Sequence, residues 1–254
     1  MINKILILIL SYMLSTPLYA VDNVRNTTVK GLGLGEHGVT QALNYNPSII
    51  SLQTSPTLQA MFVNKFAIKE LSTYSFQAVY PHALASVAVS ATTLGSSYYR
   101  NSSVGVTLSK SLFKHWAVGA SFYYQWIALP NVQINAQMID VGITYTPNSA
   151  LVLALSALNV VDNCSVRLGA AWDIISDVTL LTEFVYADNQ FYSVSLGLEY
   201  ELYPSLYIRT GLIAPTVQPS FGLGYTLGKF TFDVACNYHT QLGISSGAGL
   251  KVNF

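Results

Sequence analysis

The chain ends with the stretch Gly243-Ile244-Ser245-Ser246-Gly247-Ala248-Gly249-Leu250-Lys251-Val252-Asn253-Phe254. Counted back from the last residue, the apolar residues of this stretch share one parity and most of the small and polar residues share the other. A period of two places the two sets on opposite faces of a β-strand. An aromatic residue at the end of such a strand is typical of the closing strand of an outer-membrane barrel. The stretch therefore predicts a barrel.

The composition of the whole chain favours a membrane protein. Only 9% of the 254 residues are charged and 51% are hydrophobic, whereas an ordinary soluble domain has about 25% charged residues. No apolar run reaches the ~20 residues that a spanning helix needs, and most apolar residues alternate with polar ones. The closed β-barrel is the other structure that satisfies its backbone hydrogen bonds in lipid. The net charge of zero gives no support to nucleic-acid binding.

Residues 1–20 have the pattern of a secretory signal peptide. Lys4 is followed by the apolar run Ile5–Leu10, and Ala20 ends a plausible cleavage site. Export combined with the composition of a barrel predicts the outer membrane of a Gram-negative bacterium. The expected partners are therefore outer-membrane lipid and the machinery that assembles barrels.

The mature chain divides into two regions. Residues 21–56 do not alternate and predict an N-terminal plug segment, with a short helix near residues 39–43. Residues 57–254 read as about fourteen short alternating strands joined by tight turns, the shortest of them at one end. The predicted fold is an all-β, transmembrane, antiparallel up-and-down β-barrel with an N-terminal plug segment, closed by residues 243–254 against residues 57–67.

The parity of the strands predicts which charged residues face the lumen. The main set is Asp140, Arg167, Glu183, Glu199, Arg209 and Asp233, with Asp173, Glu201 and Lys251 as further members. Because isolated buried charge is costly, the first interpretation is that these charges pair for structural reasons. The other is a polar surface that holds the plug or lines a path for a solute.

Two motifs in the sequence resemble catalytic or cofactor-binding motifs without their required context. Gly33–Gly38 spells a dinucleotide fingerprint but lacks a βαβ unit and the acidic residue that would follow it. Gly243–Gly247 spells a nucleophile elbow, but neither an acid nor a histidine follows it. No His, Cys, Asp or Glu cluster has metal-ligand spacing. We therefore expect a protein that is not an enzyme and that has no cofactor or metal.

The stretch Val39–Ser48 is similar to the plug motif of FadL-like outer-membrane barrels, and its motif positions are Asn44, Asn46, Pro47 and Ser48. Further similarity lies in residues 66–80, 202–211, 220–225 and 237–243. Among FadL-like barrels, the sequence most resembles the PorV/PorQ-type proteins of Bacteroidetes. The resemblance implies a fourteen-stranded barrel with an N-terminal plug, which agrees with the strand count from the residues alone.

The resemblance implies two roles. The first is a non-enzymatic accessory of type IX protein secretion or surface assembly, with secretion-system proteins as partners. The alternative is a transporter or channel for small hydrophobic solutes, with a hydrophobic ligand. Ser48 stands where the motif usually has Ala, and short outer loops replace the extended capture surface of fatty-acid transporters. A structural barrel without transport is a third hypothesis.

Overall fold

A computed structural model describes residues 28–187 and 191–254, so the signal peptide predicted for residues 1–20 lies outside the described residues. Fourteen antiparallel strands form a closed barrel, which confirms the predicted fold class. The strands are β1 (Thr57–Asn64), β2 (Ser72–Tyr80), β3 (Ser86–Gly95), β4 (Arg100–Leu112), β5 (Trp116–Ala128), β6 (Gln133–Asn148), β7 (Leu151–Leu158), β8 (Ser165–Ile175), β9 (Val178–Ala187), β10 (Phe191–Tyr203), β11 (Leu206–Ala214), β12 (Gln218–Leu227), β13 (Phe230–His239) and β14 (Gly243–Asn253).

Each strand pairs with its neighbours in sequence, and the last strand pairs with the first. Leu58 lies opposite Val252 and Asn64 lies opposite Ser246, so the prediction that the C-terminal stretch closes the barrel is confirmed.

We call the end that carries Thr57 and Phe254 the lower end. The turns at the lower end have two to five residues, and a three-residue 3₁₀ helix (Lys69–Leu71) lies in the upper connection between β1 and β2. Within the described ranges, no helix is long and apolar enough to cross a bilayer.

The two faces of the wall differ in chemistry, as the alternation predicts. On β13, for example, Phe232 and Val234 point outward and remain 48% and 52% exposed, whereas Asp233 and Ala235 face the lumen and are buried. Large apolar side chains occupy the outward positions of strand after strand. A continuous apolar surface of this extent has the character of a lipid-facing band.

The described part of the plug, residues 28–56, lies inside the barrel. A short helix, α1 (Val29–Gly33), is capped by Thr28, whose hydroxyl accepts a hydrogen bond from the N–H of Gly31. A 3₁₀ helix (Pro47–Leu52) is capped by Asn46. Both side chains accept hydrogen bonds from N–H groups that have no partner within the helix.

The short helix predicted near residues 39–43 is wrong, because the chain forms turns there. The N–H of Val39 donates to the carboxylate of Glu183 on the wall instead of continuing a helix. Val39 and Thr40 are also β-branched, which lowers helix propensity. The helical turns of the plug lie on either side of this segment.

The hydrophobic core of the protein lies between the plug and the wall, inside the barrel. Three clusters of buried apolar residues form it. In the first, Val29 and Leu32 of the plug pack with Met61 and Val63 of β1 and with Ala235 of β13. In the second, Leu43, Ile49 and Ile50 of the plug pack with Val79 of β2 and Ala88 of β3. The third cluster is Ala42, Tyr45 and Leu158. Burial of plug residues inside the lumen therefore supplies the core that a hollow barrel would lack.

Candidate functional site between the plug and the barrel wall

The plug follows the inner wall from strand to strand, and glycines line its path. At each of these positions, an ideal Cβ would come within 3.2 Å of a plug atom or overlap it. Real Cβ atoms rarely approach other atoms so closely, so glycine at these positions lets the backbone and side chains of the plug lie against the wall. We call this set the glycine belt: Gly119, Gly142, Gly169, Gly197, Gly211, Gly222 and Gly247.

Asn46 fixes the turn of the plug that carries the sequence motif. Its side-chain nitrogen donates to the carbonyl of Val39 at 2.8 Å and to the hydroxyl of Thr144 on β6 at 3.0 Å. Its side-chain oxygen accepts from the N–H and the hydroxyl of Ser48 at 3.0 and 2.6 Å. The hydroxyls of Ser48 and Thr144 lie 2.6 Å apart. Since all three residues are nearly or fully inaccessible to solvent, this network is a dry, neutral attachment of plug to wall.

The other motif residues also contact the wall. The side-chain oxygen of Asn44 accepts a hydrogen bond from the amide of Gln77 on β2 at 2.9 Å. Pro47 begins the 3₁₀ helix and packs against Gly119 of the glycine belt. A fixed φ and the absence of an N–H suit proline to the first position of such a helix. With the carbonyl of Ser48, which accepts a hydrogen bond from Ser109 on β4, the motif therefore contacts four strands: β2, β4, β5 and β6.

Glu183 on β9 binds the middle of the plug. One carboxylate oxygen accepts the N–H groups of Gly38 and Val39 at 2.7 and 3.0 Å, and the other accepts Arg167 on β8 at 2.5 Å. The guanidinium of Arg167 lies 3.8 Å from the centre of the Tyr45 ring, in a cation–π contact. The buried carboxylate of Glu183 is thus stabilised both by a cationic partner, Arg167, and by two N–H groups of the plug.

His37 lies beside this carboxylate and is fully buried. Its Nε2 is 2.6 Å from the hydroxyl of Thr40, and its Nδ1 is 3.5 Å from Glu183. Burial disfavours the charged imidazolium and lowers the pKa of His37 to about 4. The negative charge of Glu183 acts in the opposite direction, but its effect is smaller than that of burial. The imidazole is therefore neutral at pH 7.

A chain of four charged groups joins the start of the plug to the last strands. The ammonium of Lys30 lies 2.8 Å from Glu199 on β10, which Arg209 on β11 contacts at 2.6 Å. Arg209 also binds Asp233 on β13 at 2.5 Å. Arg209 is only 3% exposed, so its guanidinium is compensated by two carboxylates rather than by water.

The six main lumen charges predicted from the sequence all face inward, but they do not form one group. Arg167 and Glu183 form one pair, and Glu199, Arg209 and Asp233 form the other group. Asp140 on β6 lies apart, where it accepts the N–H of Asn159 at 2.7 Å. Five of the six therefore belong to networks that bind the plug.

Several hydroxyl groups that hold the plug were not predicted from the sequence. Ser109 donates to the carbonyl of Ser48, Ser156 donates to the carbonyl of Tyr45, and Ser220 accepts the N–H of Gly35. Each serine lies directly opposite a belt glycine on the neighbouring strand. Inward serines beside inward glycines are the signal that could have identified them.

The site can hold a polypeptide segment in the lumen through neutral and charged contacts. Among residues 28–187 and 191–254, no group of three or more His, Cys, Asp or Glu side chains is arranged to hold a metal ion. The polar groups of the site bind the plug backbone and side chains. The arrangement is that of a barrel whose lumen is occupied by its own N-terminal segment.

The fold is that of FadL-like outer-membrane barrels. The Pseudomonas putida toluene transporter TodX aligns with 92% of this chain and 98% of its own, with a TM-score of 0.67 and 11% identity. The CymD monoaromatic hydrocarbon channel aligns over 92% and 99%, with a TM-score of 0.66 and 12% identity. A Pseudomonas aeruginosa FadL homologue aligns over 91% and 98%, with a TM-score of 0.60 and 10% identity. Neither protein-family models nor curated protein sequences give a match.

Proposed function

We propose that this protein is a non-enzymatic, plugged β-barrel of the Gram-negative outer membrane that passes small hydrophobic solutes. The observation that carries the proposal is an apolar seam between the plug and the first three strands. Along this seam, Leu43 and Ile50 of the plug pack with Val79 of β2 and Ala88 of β3. A solute that avoids water would follow such a contact rather than the charged contacts on the other side of the plug.

An apolar groove continues the seam at the lower end of the barrel. Its volume is about 330 Å³, and its lining includes Val79 and Ala88 together with Leu58, Val87 and Phe254. Because Leu58 and Val87 are exposed on the outer surface, the groove joins the seam to the lipid-facing band. A hydrophobic solute that leaves the seam would meet an apolar surface there.

The fold comparison supports the solute channel rather than the secretion accessory suggested by the PorV/PorQ resemblance. TodX and CymD are described as a toluene transporter and a hydrocarbon channel. In the proposed mechanism, the second half of the plug, residues 43–52, releases its neutral contacts with β4–β7 and moves away from Val79 on β2 and Ala88 on β3, which opens the seam. The lumen charges keep the first half of the plug in place during this movement.

A disulfide between the plug and the wall tests this mechanism. The hydroxyls of Ser48 and Thr144 are 2.6 Å apart, so S48C and T144C place two thiols within reach of each other. Cys164 and Cys236 are first replaced by serine, because neither is in a disulfide and their thiols could form unwanted ones. The protein is reconstituted in lipopolysaccharide-containing vesicles, and the influx of N-phenylnaphthylamine is measured. We expect the oxidised variant to lose the dye influx and a reductant to restore it.

The matched control is a disulfide of the same spacing that does not involve the plug. Thr107 and Ser121 are neighbours on β4 and β5, and their hydroxyls are also 2.6 Å apart. Oxidised T107C/S121C protein should pass the dye like the serine background. Equal influx through the locked and unlocked S48C/T144C protein would contradict the moving plug. No influx beyond that of protein-free vesicles, with any variant, would contradict the solute channel itself.

A further inference from the structure

A polar cavity lies at the lower end of the barrel, below α1. It has a volume of about 280 Å³, and its lining includes Gln59, Glu199, Arg209, Thr231, Asp233 and Lys251. This volume corresponds to roughly nine water molecules at about 30 Å³ each, so a small organic molecule fits. The cavity is separate from the apolar seam, and its lining is polar and charged, whereas the lining of the seam is apolar.

The charges of this cavity do not cancel. Lys30, Arg209 and Lys251 supply three positive charges, against the two carboxylates of Glu199 and Asp233. Both carboxylates are already bound by Arg209, and Glu199 is also bound by Lys30. Lys251, in contrast, has no hydrogen-bond or ion-pair partner among residues 28–187 and 191–254, although it is partly buried. One ammonium group is therefore left over.

The groups beside Lys251 can also donate hydrogen bonds. In the register of the strands, Lys251 lies opposite Gln59 of β1 on one side and Thr231 of β13 on the other. The amide of Gln59 has no partner within the described ranges, and the hydroxyl of Thr231 pairs with that of Thr226. An ammonium, an amide and hydroxyls together can bind the two oxygens of a carboxylate.

We propose that this cavity binds the carboxylate of a small organic acid, with Lys251 as its charge partner and Gln59 and Thr231 as hydrogen-bond donors. A single uncompensated positive charge matches a monoanion. Phosphate at pH 7 carries a charge of about −1.5 to −2 and fits this balance less well. The inference does not depend on solute passage along the seam, since polar side chains of β1 and β10–β14 line the cavity and none of the apolar seam residues does.

Binding is measured by isothermal titration calorimetry on the folded protein in a non-ionic detergent. The probes are benzoate, its neutral analogue benzamide, and inorganic phosphate. We expect benzoate to bind about tenfold or more tightly than either of the others, because a charged hydrogen bond is worth at least that factor. Equal binding of benzamide, or tighter binding of phosphate, would overturn the proposal.

Three variants locate the site. K251Q should weaken benzoate binding by about tenfold or more, because it removes the free charge. Q59E should do the same without loss of fold, since it places a carboxylate directly opposite Lys251. K229Q, in the exposed turn between β12 and β13, has the same change in net charge and should bind benzoate like the original protein. Benzoate binding unchanged in K251Q and Q59E, or weakened equally in K229Q, would refute the site. Heat-modifiable gel migration checks that each variant is folded.

Discussion

The wall of β4–β7 and the wall of β8–β13 contact the same plug with different side chains. On β4–β7 the plug meets neutral hydroxyls: Ser109, Thr144 and Ser156. On β8–β13 it meets Glu183 and Glu199, each bound to an arginine, together with the neutral hydroxyl of Ser220. The neutral hydroxyls and Glu183 are almost inaccessible to water, whereas Lys30 and Glu199 are partly exposed. The second half of the plug is thus held mainly by neutral contacts, with one cation–π contact between Tyr45 and Arg167, and the first half mainly by charged networks.

The two kinds of contact differ in the free energy that is lost when one partner is removed. When one partner of a buried neutral hydrogen bond is removed, the remaining group costs about 1–3 kcal/mol. When one partner of a buried ion pair is removed, the remaining charge costs about 3–5 kcal/mol. The neutral side can therefore separate from the plug at a smaller cost, which is what movement of residues 43–52 requires.

The largest expected effect comes from breaking the charged side at its centre. R209M leaves Asp233 without its arginine and Glu199 with only Lys30. We expect the free energy of unfolding to fall by about 3–5 kcal/mol. Urea unfolding in detergent, followed by tryptophan fluorescence, measures the change. R100M, at an exposed position of β4, is the control and should change stability little. A loss below about 1 kcal/mol in R209M would show that the network is not a stabilising attachment.

The second prediction distinguishes the two sides by pH. His37 has a pKa of about 4 in the folded protein and 6.5 as its ordinary value. The unfolded chain therefore binds more protons between these values, and stability falls as the pH is lowered through that window. Between pH 7 and pH 4, His37 should account for a loss of about 3 kcal/mol.

H37Q isolates this contribution from that of other titrating groups. The variant should be less sensitive to acid than the original protein, and the difference between the two unfolding curves is the quantity to measure. Identical pH profiles would mean that folding leaves the pKa of His37 unchanged. Hydrogen exchange should also show the first half of the plug loosening at pH 4 before the second half does.

The smallest expected effect lies on the neutral side. T144V removes the hydroxyl that binds Asn46 and Ser48, while the internal hydrogen bonds of the plug remain. We expect a loss of about 1–2 kcal/mol and faster hydrogen exchange in residues 44–52. T107V makes the same chemical change at a buried wall position bonded to Ser121 and should leave exchange in the plug unchanged. If T144V destabilised as much as R209M, the two sides would not differ as described.

The sequence predicts the wall well because alternation is a local property. The parity of β10 and β13 assigns Glu199 and Asp233 to the lumen before any partner is known. Which charges pair depends on register and curvature across strands. Arg209 meets Glu199 directly across the β10–β11 ladder but reaches Asp233 two strands away. Only the three-dimensional structure brings that second pair together.

The plug is less predictable because its conformation depends on the wall. Val39 has its N–H bound by Glu183, a residue 144 positions away in sequence. Gly142 and Gly211 look like ordinary small residues of strands until the plug is seen beside them: side-chain atoms of Asn46 next to Gly142 and the backbone of Leu34 and Gly35 next to Gly211. The motif residues Asn44 and Asn46 could be selected by resemblance, but their partners Gln77 and Thr144 could not be inferred from spacing.

The glycine belt has a consequence for the permeability barrier of a cell that carries this barrel. At the belt positions the wall has no side chain that could block the lumen, so occlusion there depends on the N-terminal segment that fills it. Deletion of Gly31–Ser48 would expose the belt glycines together with the serines and charged side chains of the inner wall, and would leave a hydrated hole in place of the segment. For a bacterium, the cost of losing this segment would be leakage of antibiotics and detergents rather than loss of the barrel.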